Sequence, residues 1–474
     1  MKKITSIILL FFISFSFAQT PCNNGLAGAY PCNNMDLMSF IPVGDFNSTA
    51  GNDSWGWTDP DTGKEYALFC DRSNVAFVDI TDPVNPIYVG KMNRTPGADP
   101  STWRDVKVYN NHAFVVSEAS GHGMQVFDLT RLRDAVNLPV IFTQDAHNDS
   151  FGHAHNIVIN EETGYAYIVG ASPQNGGPIF INIQDPLNPV NEGGYSTDGY
   201  SHDAQVIIYN GEDAEHIDKE IYIGANEDSI VIIDVTNKSN PIKISEMFYA
   251  NTAYTHQIWF DENHKYLYCN DEIDESDFGF NTRNIIFDLS DLDNPVLKYE
   301  YFGETPAIDH NNYVVGDELY IANYEAGLRV IDISDIENNN MNEVRFFDTY
   351  PENNSANYNG AWSVYPYFES GNIVISDINR GLFIVRDSNT PLATVENEIS
   401  LTSIYPNPAE NVLHITSNQA NLNKIEIFDV LGKQIILKES LGLINSYDVN
   451  IESLNTGFYF IKVNNLNTRK FLKK

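Results

Sequence analysis

Residues 230–241 read IVIIDVTNKSNP: an unbroken apolar run, an Asp, then a turn rich in Asn, Ser and Pro. The pattern returns as VAFVDIT (75–81), MQVFDLT (124–130), PIFINIQ (178–184), NIIFDLS (284–290), LRVIDIS (328–334) and LFIVRDS (382–388). Most copies run on into an Asn-Pro turn, as in DPVNP, DPLNP and DLDNP. β-Branched and aromatic residues in a short run closed by Asp and Pro read as a strand buried on both faces, and the Pro ends its pairing. Each copy has three further strand candidates around it. A hairpin partner precedes it (KEIYIGAN, 219–226; DELYIANY, 317–324), and ahead of that stands a strand opening on a polar aromatic (HQIWF, 256–260). An alternating strand follows the Pro (PIYVGKM, 86–92; PVLKYEYF, 295–302). Four strands repeated about every 50 residues predict the blades of a β-propeller.

Seven heptamers occur, but only six are followed by an outer strand. The missing one is supplied by LMSFIPVGDF (37–46) near the start of the chain, and pairing it with the last blade removes an exposed edge. No segment of the repeats holds a helical period. The expected fold is all-β: a seven-bladed propeller over 37–387 with N-terminal strand closure, a linker at 388–400, and a small C-terminal β-sandwich over 401–474. The heptamers resemble the LVIVD repeat. Residues 20–387 resemble the choice-of-anchor B family of exported propellers, on the marks CNNGLAGAYPCNNMDLMSF and NVAFVDITDPVNPIYVG. That resemblance implies fold and export and supplies no catalytic residue.

The first 18 residues carry two Lys and an apolar run from Ile7 to Phe17, with small residues at Ser16 and Ala18. They read as a secretory signal peptide cut before Gln19. No later stretch is apolar enough to span a membrane. Cys22 and Cys32 bracket a short loop in the segment 19–36 and are expected to form a disulfide in an exported protein. Cys70 and Cys269, at the ends of distant apolar strands, read as buried thiols.

The chain has 64 Asp and Glu against 28 Lys and Arg, a net charge of −36. The acidity lies in residues 19–400, where 58 acids face 18 bases; from residue 401 on, eight bases meet six acids. Such a surface repels phosphate backbones, which excludes nucleic acid as a partner, and favours cations or neutral ligands. In the tail, SIYPNPAENVLHI, KIEIFDVLGKQI, LNTGFYFIKV and TRKFLKK read as short strands between Pro, Gly and Asn turns. These pieces resemble the C-terminal sorting domain of type IX secretion substrates in order and spacing. The resemblance implies passage through the periplasm of a Bacteroidota-type cell and contact between residues 401–474 and the type IX machinery. It also implies either release or attachment at the outer surface. The alternative is an accessory β-domain that binds carbohydrate.

The first strands of the blades open on Trp or His with a polar neighbour. The residues so aligned are Trp57, Trp103 with Arg104 and Asp105, His155, His202 with Asp203, His256, His310 and Trp362. Strands that converge on an axis bring these side chains to one mouth of a channel. His155, His202, His256 and His310 are therefore candidate ligands of a transition metal. The same residues equally suit a hydrogen-bonded structural ring that caps inner-strand backbone, or a wet ligand-binding funnel. Asp271, Asp274 and Asp277 in NDEIDESDFGFNTRN recur every third residue and offer oxygen ligands to calcium. Their spacing is not that of the known calcium loops, and a solvated acidic loop is the alternative. No nucleophile elbow, H-E-x-x-H or phosphate loop is present. The reading is a secreted or surface-attached binding protein for a protein or glycan ligand. Its rivals are a metal-dependent enzyme with a histidine-lined channel site and a structural surface component.

Overall fold

The computed structural model describes residues 19–390, 402–417, 422, 424–429, 433–439, 445–463 and 468–474. The signal peptide read at 1–18 and most of the linker at 388–400 lie outside the described residues. The chain divides into two compact units, with the boundary after Pro391. The structure is all-β. Among the described residues the one α-helix is Asp274–Phe278.

The heptamers answer for the first unit. Each forms the third strand of its sheet and pairs antiparallel with both neighbours, as Ile230–Asp234 does with Glu220–Ala225 and Ile242–Met247. The run is apolar throughout because both of its faces are covered. Ile232 and Ile223 pack against Ile258, Leu267 and Ile285 of the following sheet, while Val231 and Ile233 pack against Tyr167 and Phe180 of the preceding one. The Asp that closes the run ends the strand by an Asx turn. Asp79, Asp234, Asp288 and Asp332 each accept the backbone N–H two residues on, at 3.1, 3.0, 2.9 and 2.9 Å. The Asn of the following turn is locked by the Asp three residues before it: Asn85 to Asp82, Asn188 to Asp185, Asn294 to Asp291.

Seven such sheets follow one another, with first strands Gly51–Thr58, Arg104–Tyr109, Asn156–Asn160, Asp203–Ile208, Thr255–Phe260, Asn312–Val315 and Ala361–Tyr365. Each first strand packs against the first strand of the next sheet, and that of the seventh packs against that of the first. The seventh sheet takes its fourth strand from the N-terminal region: Met35–Pro42 lies antiparallel to Gly381–Asp387, with Phe40 opposite Phe383. This strand was expected at 37–46. It starts two residues earlier and ends at Pro42, where Val43–Phe46 coils into a 3-10 turn that buries Phe46. The segment ahead of it is also built in. Tyr30–Asn33 adds to the outer strand of the sixth sheet, the Cys22–Cys32 disulfide closes the loop, and Asp36 accepts from Cys22 N and Ser388 Oγ. Cys70 and Cys269 are buried thiols.

The second unit holds a three-stranded sheet (Thr402–Tyr405, Val412–Ser417, Ser446–Asn450) and a four-stranded one (Gln434–Glu439, Lys424–Phe428, Gly457–Val463, Thr468–Lys473). They share a core of Leu413, Ile415, Ile425, Ile427, Val449, Ile461 and Phe471.

Candidate functional site

The inner strands begin together at one end of the first unit, and there the four histidines form an arc. Ring centroids are 4.0 Å apart for His155–His202, 4.1 Å for His202–His256 and 4.2 Å for His256–His310, and the arc ends on Trp362, 4.9 Å from His310. Burial and neighbouring imidazoles hold His202 and His256 well below the usual histidine range, and burial brings His310 down to about 3. These three rings are therefore neutral. Carbonyl acceptors fix two of the tautomers. His202 Nδ1 donates to the His256 carbonyl at 3.0 Å and His310 Nδ1 to the Trp362 carbonyl at 2.6 Å, which leaves each Nε2 with a free lone pair. His155 Nδ1 lies 2.6 Å from Glu118 Oε1. The His310 main chain is the polar group beside the His256 ring, and His256 Nδ1 makes no hydrogen bond of ordinary geometry.

A carboxylate completes the arrangement. Glu272 follows the second strand of its sheet, Tyr266–Asp271, and its oxygens lie 3.9 Å from His256 Nε2 and 3.7 Å from His310 Nε2. Tyr324 Oη donates to Glu272 Oε1 at 2.6 Å, and burial raises the Glu272 carboxyl to about 7. Sequence reasoning passed over Glu272 in favour of its Asp neighbours. The available signal was position: Glu118, which meets His155, likewise directly follows a second strand, His112–Ser117.

The other candidates fall elsewhere. Trp57 is not at this end. It packs between the first two sheets, stacked on Tyr66, with Nε1 donating to Asn111. Trp103 is 43% exposed and takes part through its carbonyl, which accepts from Ser117 Oγ and Glu118 N. Arg104 is buried and donates to the Asp71 carbonyl and to neutral His122. Asp105 caps backbone: its Oδ2 accepts from Ile157 N on the next inner strand at 2.9 Å. Gln205 and Gln257 do the same for Phe260 N and Asn312 N.

The three Asp residues offered to calcium do not converge. Asp271 accepts from Tyr249 Oη, Ala253 N and Tyr254 N. Asp274 is paired at 2.6 Å with buried Arg283, and Asp277 points into solvent on the short helix. Arg283, whose chain also reaches Glu300 and two backbone carbonyls, claims the acid that a cation would need.

Deeper along the inner strands Asp53, Asp105 and Asp203 surround Lys107, which pairs with Asp105 at 2.6 Å. Burial, with the Asp105 charge added, raises Asp53 to about 7; burial also raises Asp203 to about 7 against the pull of Lys107. Their folded-state values stand above the unfolded value of about 3.9. The stability they contribute is therefore complete below that value and is lost as pH rises through about 7. Thermal melts between pH 5.5 and 8.5 should show the native protein losing about 2–4 °C more than Asp53→Asn over the interval. Equal slopes would contradict the assignment.

Where the inner strands end there is a pit of about 390 Å³. Trp55, Trp259, Tyr365 and Tyr367 line it, with Glu161, Gln205 and Glu262 among them. Tyr365 lies flat on the first strand because residue 56 is Gly; a Cβ there would overlap its ring. Neither Trp55 nor Trp259 was singled out from the sequence.

Residues 403–474 match the secretion system C-terminal sorting domain. That match supports export of a surface protein by type IX secretion, and it implies interaction with the type IX machinery. Residues 221–249 and 312–349 match the LVIVD repeat. No curated protein matches the chain. Among solved structures the chain is similar to PorZ, an essential bacterial surface component of the type-IX secretion system of Porphyromonas gingivalis. That pair has 12% identity and a TM-score of 0.46, over 89% of this chain and 59% of PorZ. It is also similar to the extracellular domain of a one-component system of B. thetaiotaomicron, with 13% identity and a TM-score of 0.45, over 92% of this chain and 59% of that one. The chain thus spans 59% of the length of either neighbour. No described helix is long and apolar enough to cross a membrane.

Proposed function

We propose that residues 37–387 form a closed seven-bladed β-propeller of the choice-of-anchor B type, exported to work at the outer cell surface as a binding protein. The cyclic packing of the seven first strands, with Met35–Pro42 completing the seventh sheet, supports the closed ring. A signal peptide at 1–18 takes the chain into the periplasm, and the sorting domain at 401–474 takes it onward through the outer membrane, where it is released or attached.

The observation that carries the binding reading is the aromatic pit where the inner strands end. Four aromatic faces beside acceptor side chains, in a protein with this charge, suit an uncharged glycan better than an anionic ligand. A protein loop seated in the same pit is the other ligand class. Tryptophan fluorescence, followed while neutral oligosaccharides are added to the exported chain, tests the reading. A saturable change is expected, and Trp259→Ala should weaken binding at least tenfold; no change across a broad panel of neutral glycans would refute the glycan assignment.

A metal-dependent enzyme at the histidine-lined end is the second reading. The convergence of His256, Glu272 and His310 favours it.

A further inference from the structure

We infer that His256 Nε2, His310 Nε2 and the Glu272 carboxylate bind one divalent first-row transition-metal ion. Their ligand atoms all lie within 4.8 Å of one another, and they come from three separate elements: an inner strand, the turn after a second strand, and the approach to the next inner strand. His155 and His202 continue the arc but fall outside this convergent set.

The spacing fits an ion better than a hydrogen bond. Zinc-class ions sit about 2.0–2.2 Å from imidazole nitrogen and carboxylate oxygen, which places ligand atoms about 3.4 Å apart along a tetrahedral edge. The observed 3.9 and 3.7 Å close to that value with a shift of about half an ångström or less. Both distances exceed hydrogen-bond reach. On His310 the ring proton is already committed to the Trp362 carbonyl, so a lone pair, not a proton, faces Glu272. A cation between them satisfies both donors at once.

The surroundings are those of an oriented ligand set. The Trp362 carbonyl fixes the His310 tautomer and the Tyr324 hydroxyl holds Glu272, the kind of outer contacts that set ring and carboxylate direction at metal centres. Two imidazoles and one carboxylate suit zinc, iron(II), cobalt or nickel, and leave coordination positions for water or a substrate. Access runs past Glu272, whose side chain is 16% exposed, while the His256 and His310 side chains are 1% and 5% exposed. The inference uses the second functional reading only for its location. Metal binding and glycan binding at the opposite end are separate measurements, and either can fail alone.

The test uses the exported full chain, stripped with a chelator, titrated with zinc(II) by calorimetry and with cobalt(II) by visible absorption. One equivalent of zinc should bind. Cobalt bands should saturate at one equivalent and disappear when zinc is added. Glu272→Gln should weaken zinc binding at least tenfold and His310→Ala should abolish it, whereas His202→Ala should leave it within twofold. If His310→Ala does not fold, the native titration and Glu272→Gln decide. Absence of stoichiometric binding by the native chain overturns the inference. So does native affinity in Glu272→Gln, an effect of His202→Ala as large as that of His310→Ala, or binding lost on changing His216, which sits with Asp213 and Asp293 in the other convergent group among the described residues.

Discussion

A chain ended after Thr390 should fold, melt at the temperature of the first unit, and stay inside the cell envelope. Among the described residues, seven buried apolar clusters are built from residues up to 385, and one from residues 409–471. No core side chain of the first unit is therefore removed by the truncation. What is removed is the segment that matches the sorting domain. Fractionation of cells expressing both forms should find the full chain at the surface or in the medium and the shortened one in the periplasm. A shortened chain recovered outside the cell would show that the tail is not the export signal. Fusing residues 402–474 to an unrelated periplasmic protein should send that protein out.

Excising Met35–Pro42 should cost the first unit about 4–9 kcal/mol and leave it without a cooperative melt. Met35 and Met38 are buried, and burial of a side chain of that size contributes about 1.5–3 kcal/mol. Phe40 stacks on Phe383 at 4.3 Å and packs edge-on to Tyr30, and such aromatic pairs add about 0.5–1.5 kcal/mol each. The strand also pairs along the whole of Gly381–Asp387, whose backbone would otherwise be an open edge prone to association. Rapid proteolysis of the last sheet and aggregation on heating are the expected readouts. A native-like melt would mean that some other segment closes the seventh sheet.

The strands were legible because their causes are local. Apolar runs covered on both faces, an Asp that folds back on its own backbone, and an Asp–Asn turn lock all sit within a dozen residues of one another. The Cys22–Cys32 pairing was legible for the same reason. The candidate site was only half legible. The histidines share a position in the repeat and so announce themselves, but Glu272, which meets His256 across a strand pair of its own sheet, reaches His310 only through the packing of that sheet against the next. Trp55 and Trp259, which both line the pit, lie on the first and fifth sheets. The three acidic residues at 271, 274 and 277 misled because a regular interval says nothing of what else competes for each carboxylate. Arg283 takes one, three groups near Tyr249 take another, and solvent takes the last.

The bond from Ser388 to Asp36 joins residues 352 positions apart, and this has a bearing on timing. The strand Met35–Pro42 emerges early from synthesis and its ladder partner, Gly381–Asp387, comes only with the last repeat, so the final sheet is also the last to be sealed. Long-range pairings of this kind slow the search for the native state. The Cys22–Cys32 bond, of the kind that persists in oxidising surroundings, fastens the loop that leads into this late-sealed strand, so closure of the last sheet and oxidation of the loop favour one another.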